Sequence, residues 1–219
     1  MNTGSRLAEG VLGLEAQPNT PHAPPARPTP PMDLLDALYG CRSVRSYTGA
    51  PVPRSVIEAL ADAAVQAPSP LNGQPWAFAV FQGRELLRNF SDRARLHFLQ
   101  TFSPGSDPNG RMREALADPA YNIFYDAETL VVVLEKPVAG SFATGACFIA
   151  AHNLILAAHA MGLGTCPVSF VQPWMDLGDV KTELGIPETY SVVLPVIVGY
   201  PAGTPHKPAR SQPEFVTWK

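Results

Sequence analysis

Arg42-Ser43-Val44-Arg45 is the first stretch of the chain whose residue types and spacing suit chemistry. In an extended backbone alternate side chains share a side, so Ser43 and Arg45 turn the same way. A hydroxyl and a guanidinium placed like this converge on one anion, although an exposed basic loop would carry the same residues. The second stretch is Ala67-Pro68-Ser69-Pro70-Leu71-Asn72-Gly73-Gln74-Pro75-Trp76. Its prolines stiffen a loop that presents Ser69, Asn72 and Gln74, neutral groups matched to the amide edges of a planar heterocycle. A rigid turn feeding the next strand explains it equally well. Near the C-terminus, His206–Lys219 adds Lys207 and Arg210, either further charge for the same anion or a solvated end.

Other chemistries find no support. GxSxG, HExxH, P-loop and EF-hand patterns are absent. Gly162-Leu163-Gly164 lacks the third glycine of a dinucleotide fingerprint and follows a helix, so it reads as a helix stop. His22, His97, His152, His159 and His206 have no metal-ligand spacing, and no metal is expected. Cys41, Cys147 and Cys166 form no CxxC pair, and an odd count excludes a closed disulfide framework. Without an acid, base or nucleophile constellation, no catalytic side chain is assigned, and the chemistry belongs to a cofactor.

The elements that position these residues follow from periodicity. Asp33–Tyr39 places apolar groups on one helical face, and Gly40 stops it. Ser43–Tyr47 is short and extended. A helix begins after Pro53, burying Ile57, Leu60, Ala61, Ala64 and Val65, and ends before Pro68. Trp76–Phe81 reads as a strand, Arg84–Thr101 as an amphipathic helix, Ser103–Gly110 as a loop, and Arg111–Ala117 as a short helix. Strand Thr129–Glu135, helix Asp176–Leu184 and strand Tyr190–Val198 complete the set. Helices and strands alternate without a βαβ rhythm, which predicts an α+β fold.

No charged residue occurs from Pro137 to Met175. Its centre, Phe142–Met161, has the length of a membrane span, but His152, Asn153 and His159 lie inside it, and no basic cluster flanks it. A helix buried on all sides, against a second subunit, is the expectation. Charged residues make up 16% of the chain, below the usual ~25%, which also suggests that part of the surface is covered by another chain. A net charge of −3 gives no footprint for nucleic acid. Residues 1–31 form a separate tail, half of Pro18–Pro31 being proline, expected to be extended or disordered; the domain runs from 32 to 219. The tail has no signal-peptide pattern, so a cytoplasmic location is expected.

Taken together, Arg42-Ser43-Val44-Arg45-Ser46-Tyr47, Pro51-Val52-Pro53, and Ala67-Pro68-Ser69 with Asn72, Gln74, Pro75 and Trp76 resemble the FMN-dependent nitroreductase family. Ala151-His152-Asn153-Leu154, Gly162 to Pro167 and Gly199-Tyr200-Pro201 continue the resemblance in order to the end of the domain. It implies a central, mostly antiparallel sheet flanked by helices, in an intertwined homodimer with FMN at the interface. Arg42, Ser43, Arg45, Lys207 and Arg210 would hold the ribityl phosphate side, with Arg45 at the electron-accepting edge of the ring. Pro68, Ser69 and Asn72 would reach the same flavin from the other subunit, and Cys166, Pro167, Val168 and Ser169 would line its ring. Cys41 stands where the family usually has a basic residue, so one phosphate contact is missing or supplied by Arg42 or Lys207.

The implied activity is NADH- or NADPH-dependent reduction of nitroaromatic compounds, and of quinones, by ping-pong hydride transfer. Phe102, Tyr121, Phe124 and Tyr125 are the aromatic candidates for stacking on the small aromatic substrate, core packing being the other reading for each. Dehalogenation, enal reduction and flavin fragmentation are alternatives on the same scaffold. A non-catalytic FMN-binding protein is a further one.

Overall fold

The computed structural model describes residues 32–101, 111–137 and 142–219. The tail of residues 1–31, Phe102 and the loop 103–110 lie outside the described residues. Helices α1 (Leu34–Gly40) and α2 (Arg54–Ala64) precede strand β1 (Trp76–Gln82), followed by α3 (Arg84–Thr101), α4 (Arg111–Ala117) and β2 (Thr129–Glu135). Then come α5 (Ala143–Ala160), β3 (Gly164–Pro167), α6 (Gln172–Met175), α7 (Gly178–Glu183) and β4 (Ser191–Gly199).

The four strands form one antiparallel sheet in the order β1-β2-β4-β3. Central β2 is apolar almost throughout because both faces of the sheet are covered. Leu130, Val132 and Leu134 point to a core shared with Leu87 and Phe90 of α3 and Trp174 and Met175 of α6. Val131 and Val133 point the other way, to Leu60 of α2 and Ala150, Ala151 and Leu154 of α5. The result is a three-layer α+β molecule, as expected. A register shift between Val133 and Leu134 leaves Val193 of β4 without a partner, a β-bulge.

Three features go beyond the sequence expectations. β3 was not anticipated: four residues, Gly-Thr-Cys-Pro, give no alternating pattern to read. α1 buries only Ala37, while Leu34, Leu35, Leu38 and Tyr39 are exposed, so its apolar face has no cover among the described residues. α5 is apolar all round but is buried on one side only; Phe148, Ile149 and His152 on its other side are exposed. Apolar composition on every face does not require that one chain supply every contact. α5 is also the one helix among the described residues long and apolar enough to cross a membrane, by length and composition alone.

Candidate functional site

The basic segment is clamped between β3 and the end of β4. Val44 N–H donates to the Thr165 carbonyl at 2.8 Å, and Ser43 forms an isolated parallel bridge with Thr165. Farther along, Thr48 N–H donates to Tyr200 O, and Ala202 N–H to Ser46 O. Tyr47 donates its hydroxyl to Val44 O at 2.8 Å. Two glycines make the close approach possible: a Cβ on Gly164 would sit 2.6 Å from Val44 Cγ2, and one on Gly199 2.7 Å from Tyr47 Cδ1. Burial pushes the Tyr47 hydroxyl well above the usual tyrosine range, and it stays neutral.

This clamp builds one wall of a cavity of about 600 Å³, lined by Arg42, Ser43, Arg45, Ser46, His206 and Arg210 among others. Three arginines line it, and among the described residues no Asp or Glu does. Arg42 donates through Nη1 to Cys41 O, but its Nε is buried without a hydrogen-bond partner. A buried donor without an acceptor costs free energy that an anion in the cavity would recover. Lys207 lines a neighbouring recess, with Arg42, Tyr39 and His159, rather than this cavity. Cys41 does not line the cavity either; it is partly buried, and burial raises its thiol while Arg42 opposes the rise.

Arg45 also reaches a second recess, of about 470 Å³, whose walls include Arg111, Met112, Tyr121, Tyr125 and Phe170. The segment that forms these walls is moored to α3. Arg95, itself buried, donates to Leu116 O at 2.9 Å; Arg88 donates to the carbonyls of Pro119 and Ala120; and Ser91 Oγ accepts from Ile123 N–H at 2.9 Å. Tyr121 and Tyr125 meet edge to face, centroids 6.1 Å apart, with their hydroxyls 3.1 Å from one another. The Arg45 guanidinium lies 5.9 Å from the Tyr125 ring centroid, a cation–π distance. Tyr125 and Asp126 have φ of 51° and 58°, a left-handed backbone that is uncommon outside glycine and costs roughly 1–3 kcal/mol each. Burial, then the Tyr125 hydroxyl, raises Tyr121 above the usual tyrosine range.

The other expected residues divide. Phe124 is fully buried in the sheet core, so it does not face a ligand; the neighbouring Ile123 and Ala127 pack there with it. Cys166 and Val168 are buried in the same core, whereas Pro167 and Ser169 are exposed. Val168 N–H donates to Pro195 O at 2.9 Å, which commits a backbone donor that had been expected to face a ring. Burial raises the Cys166 thiol, against the opposing charge of Arg45 and a hydrogen bond from Ser43.

Pro68, Ser69 and Asn72 line neither cavity of their own chain. Their loop is bent by left-handed backbone at Leu71, Asn72 and Gln74 (φ 51°, 54° and 42°), braced by Gln74 N–H donating to Ser69 Oγ at 3.0 Å. Leu71 at its tip is 94% exposed. Ser46, His206, Arg111, Met112 and Phe170 were missed. The spacing of Arg111, Met112, Ala115 and Leu116 on one helix face was the available signal for Arg111 and Met112. Among the described residues no group of three His, Cys, Asp or Glu could hold a metal.

The Nitroreductase family profile matches residues 39–200, and the chain belongs to that family. It is 32% identical over 180 residues to a Methanothermobacter thermautotrophicus protein described as an NADH dehydrogenase/NAD(P)H nitroreductase, covering 80% of each chain. A 4-nitrobenzoate reductase of a Nocardioides species is 27% identical, with 77% of this chain and 81% of that protein covered. Among solved structures, a Bacteroides fragilis nitroreductase with bound FMN superposes with a TM-score of 0.68 at 26% identity, over 85% of this chain and 95% of that one.

Proposed function

We propose that the protein is an FMN-dependent oxidoreductase that uses NADH or NADPH to reduce nitroaromatic compounds, with quinones as further acceptors. The observation that carries this reading is the basic cavity at Arg42, Ser43, Arg45 and Arg210, which no Asp or Glu among the described residues lines; the Nε of Arg42, one of its lining residues, is buried without a partner. That donor set fits a phosphate monoester: planar guanidiniums pair with phosphate oxygens, and Ser43 can donate one hydrogen bond. The FMN of the Bacteroides fragilis relative and the nitro substrates named for two relatives support it.

When bound, FMN supplies the redox chemistry, accepting hydride from the reduced nicotinamide and passing electrons to the oxidant. Arg42 and Arg210 would neutralise its phosphate. Arg45, lying between the basic cavity and the aromatic recess, holds a positive charge where electrons arrive, a preorganised electrostatic role. Tyr121 and Tyr125 offer ring faces and neutral hydroxyls to an aromatic substrate. In each two-electron turn the nicotinamide is oxidised to NAD(P)+, and the nitro group gains two electrons and two protons and loses one oxygen as water, leaving a nitroso group. One of the two hydrogens arrives with the hydride and the other comes from solvent as a proton; no side chain is assigned to deliver it.

We further read the active form as a homodimer with the flavin at the interface. Three surfaces of one chain support this: the open apolar side of α5, the uncovered face of α1, and the strained loop at Leu71 that reaches neither cavity of its own chain. The test is anaerobic steady-state kinetics of NAD(P)H with nitrobenzene, a benzoquinone and an iodinated phenol. Parallel double-reciprocal lines with the nitro compound support the reading. Turnover of the iodinated phenol alone would move the protein to dehalogenation.

A further inference from the structure

The aromatic recess beside Arg45 is lined by a second cation. Arg111, the first described residue of α4, lines the recess together with Met112, Tyr121, Tyr125 and Phe170. Among the described residues no Asp or Glu lines it, and Arg111 has no ion pair or hydrogen bond there. A guanidinium facing apolar and aromatic walls is a selective element. It adds little for a neutral ring, but offers two parallel N–H donors to a carboxylate. The helix that carries it is held in place: Leu116, 1% exposed, is fixed through its carbonyl by buried Arg95, and Ala115 and Met112 lie on the same face as Arg111. A recess of about 470 Å³ falls within the range of small-ligand sites and has room for a substituted benzene ring.

We propose that this recess selects aromatic carboxylates, with Arg111 as the specificity residue that holds the carboxylate while the ring lies against Tyr121, Tyr125 and Phe170. The substrate class is then an anionic nitroaromatic, a refinement that rests on the nitroreductase reading above. Arg111 touches substrate and not the cofactor, so it sets which aromatic enters rather than whether electrons flow.

The test compares 4-nitrobenzoate with its methyl ester, a near-isostere without the charge. For FMN-loaded wild type, Arg111→Gln and Arg113→Gln, kcat/KM is measured for both compounds. Calorimetric titration of each oxidised protein gives the two Kd values without turnover. Differences in ring reactivity cancel in the acid-to-ester ratio when variants are compared. Arg111→Gln is expected to lower that ratio about tenfold, mainly through KM, with ester turnover retained. Arg113, on the same helix but outside the recess, should leave it within about twofold. An unchanged ratio in Arg111→Gln overturns the proposal, as does an equal fall in Arg113→Gln, which would indicate a general field. If wild type reduces neither compound yet Arg111→Gln weakens acid binding about tenfold, the nitroreductase reading fails and the carboxylate site stands. If wild type binds the acid no better than Arg111→Gln does, the carboxylate site fails whatever the turnover.

Discussion

Arg42 carries the most informative side chain, because its Nε is buried in a basic cavity without a partner. In the proposed reading a ligand phosphate would accept from Arg42, and a charge-assisted hydrogen bond is worth roughly 1.5–3 kcal/mol. Arg42→Ala and Arg210→Ala should therefore each raise the Kd for FMN by about ten- to a hundredfold in fluorescence titrations. Riboflavin, which lacks the phosphate, should bind both variants as it binds wild type; equal losses for the two flavins would remove the phosphate role. The cysteines give a second prediction. Burial pushes the Cys147 thiol up to about 11, and the Glu135 charge adds to the rise. An acid with a raised folded pKa favours the folded state while it stays protonated, so that contribution is complete below the thiol's ordinary pKa of about 8.5 and fades as pH climbs toward 11. Tyr47 and Tyr121, also raised, add to the same loss above about pH 10. Tm should fall steadily from pH 8.5 to 10.5, and Cys147→Ala should flatten the first part of that slope in differential scanning fluorimetry.

At the scale of elements, the approach of β3 to the basic segment decides whether Ser43 and Arg45 share a cavity. Gly164→Ala places a methyl group 2.6 Å from Val44 Cγ2, an overpacking expected to cost about 1–3 kcal/mol. Gly164→Ala with Val44→Ala should recover only part of the lost Tm, since the second change removes the methyls at 2.6 and 2.9 Å but leaves Val44 Cβ at 2.7 Å. A double variant no more stable than Gly164→Ala would show that the clash is not the cause. The same elements explain what could be read in advance. α3 and β2 were legible to their ends because an amphipathic stripe and a continuous apolar run leave one reading each. β3 was not, since its pairing is set by Thr165 meeting Ser43 and Val198, contacts distant in sequence. The phosphate-side residues Arg42, Ser43, Arg45 and Arg210 were visible as a basic motif and a late cation. Arg111 was hidden because a lone arginine at the start of a short helix resembles any solvated charge until Tyr121, Tyr125 and Phe170 are placed around it. Phe124 looked like its neighbour Tyr125, and only the tight chain reversal at Tyr125 and Asp126 separates a core ring from a recess ring.

Across the whole molecule, a charge-poor sequence goes with apolar faces on α1 and α5 that stay open among the described residues. Exposed apolar patches of this kind mark interaction sites, and together with the exposed loop at Leu71 they support the proposed homodimer. Light scattering should give about twice the 23.5 kDa chain mass. Phe148→Glu together with Ile149→Glu should shift the mass toward one chain and release flavin in the same sample. A protein that stays at one chain mass while keeping its flavin would place the whole cofactor site within a single subunit.

The central claim, that the Arg42–Arg45 cavity serves a reducible flavin, is tested most directly by one spectrum. The purified protein, supplied with FMN and freed of excess, is placed under argon, and NADH or NADPH is added. The flavin absorption near 450 nm should be retained by the protein, bleached by one of the nucleotides, and restored by a nitroaromatic acceptor. A protein that retains no FMN, or a bound flavin that neither nucleotide bleaches, would contradict the account.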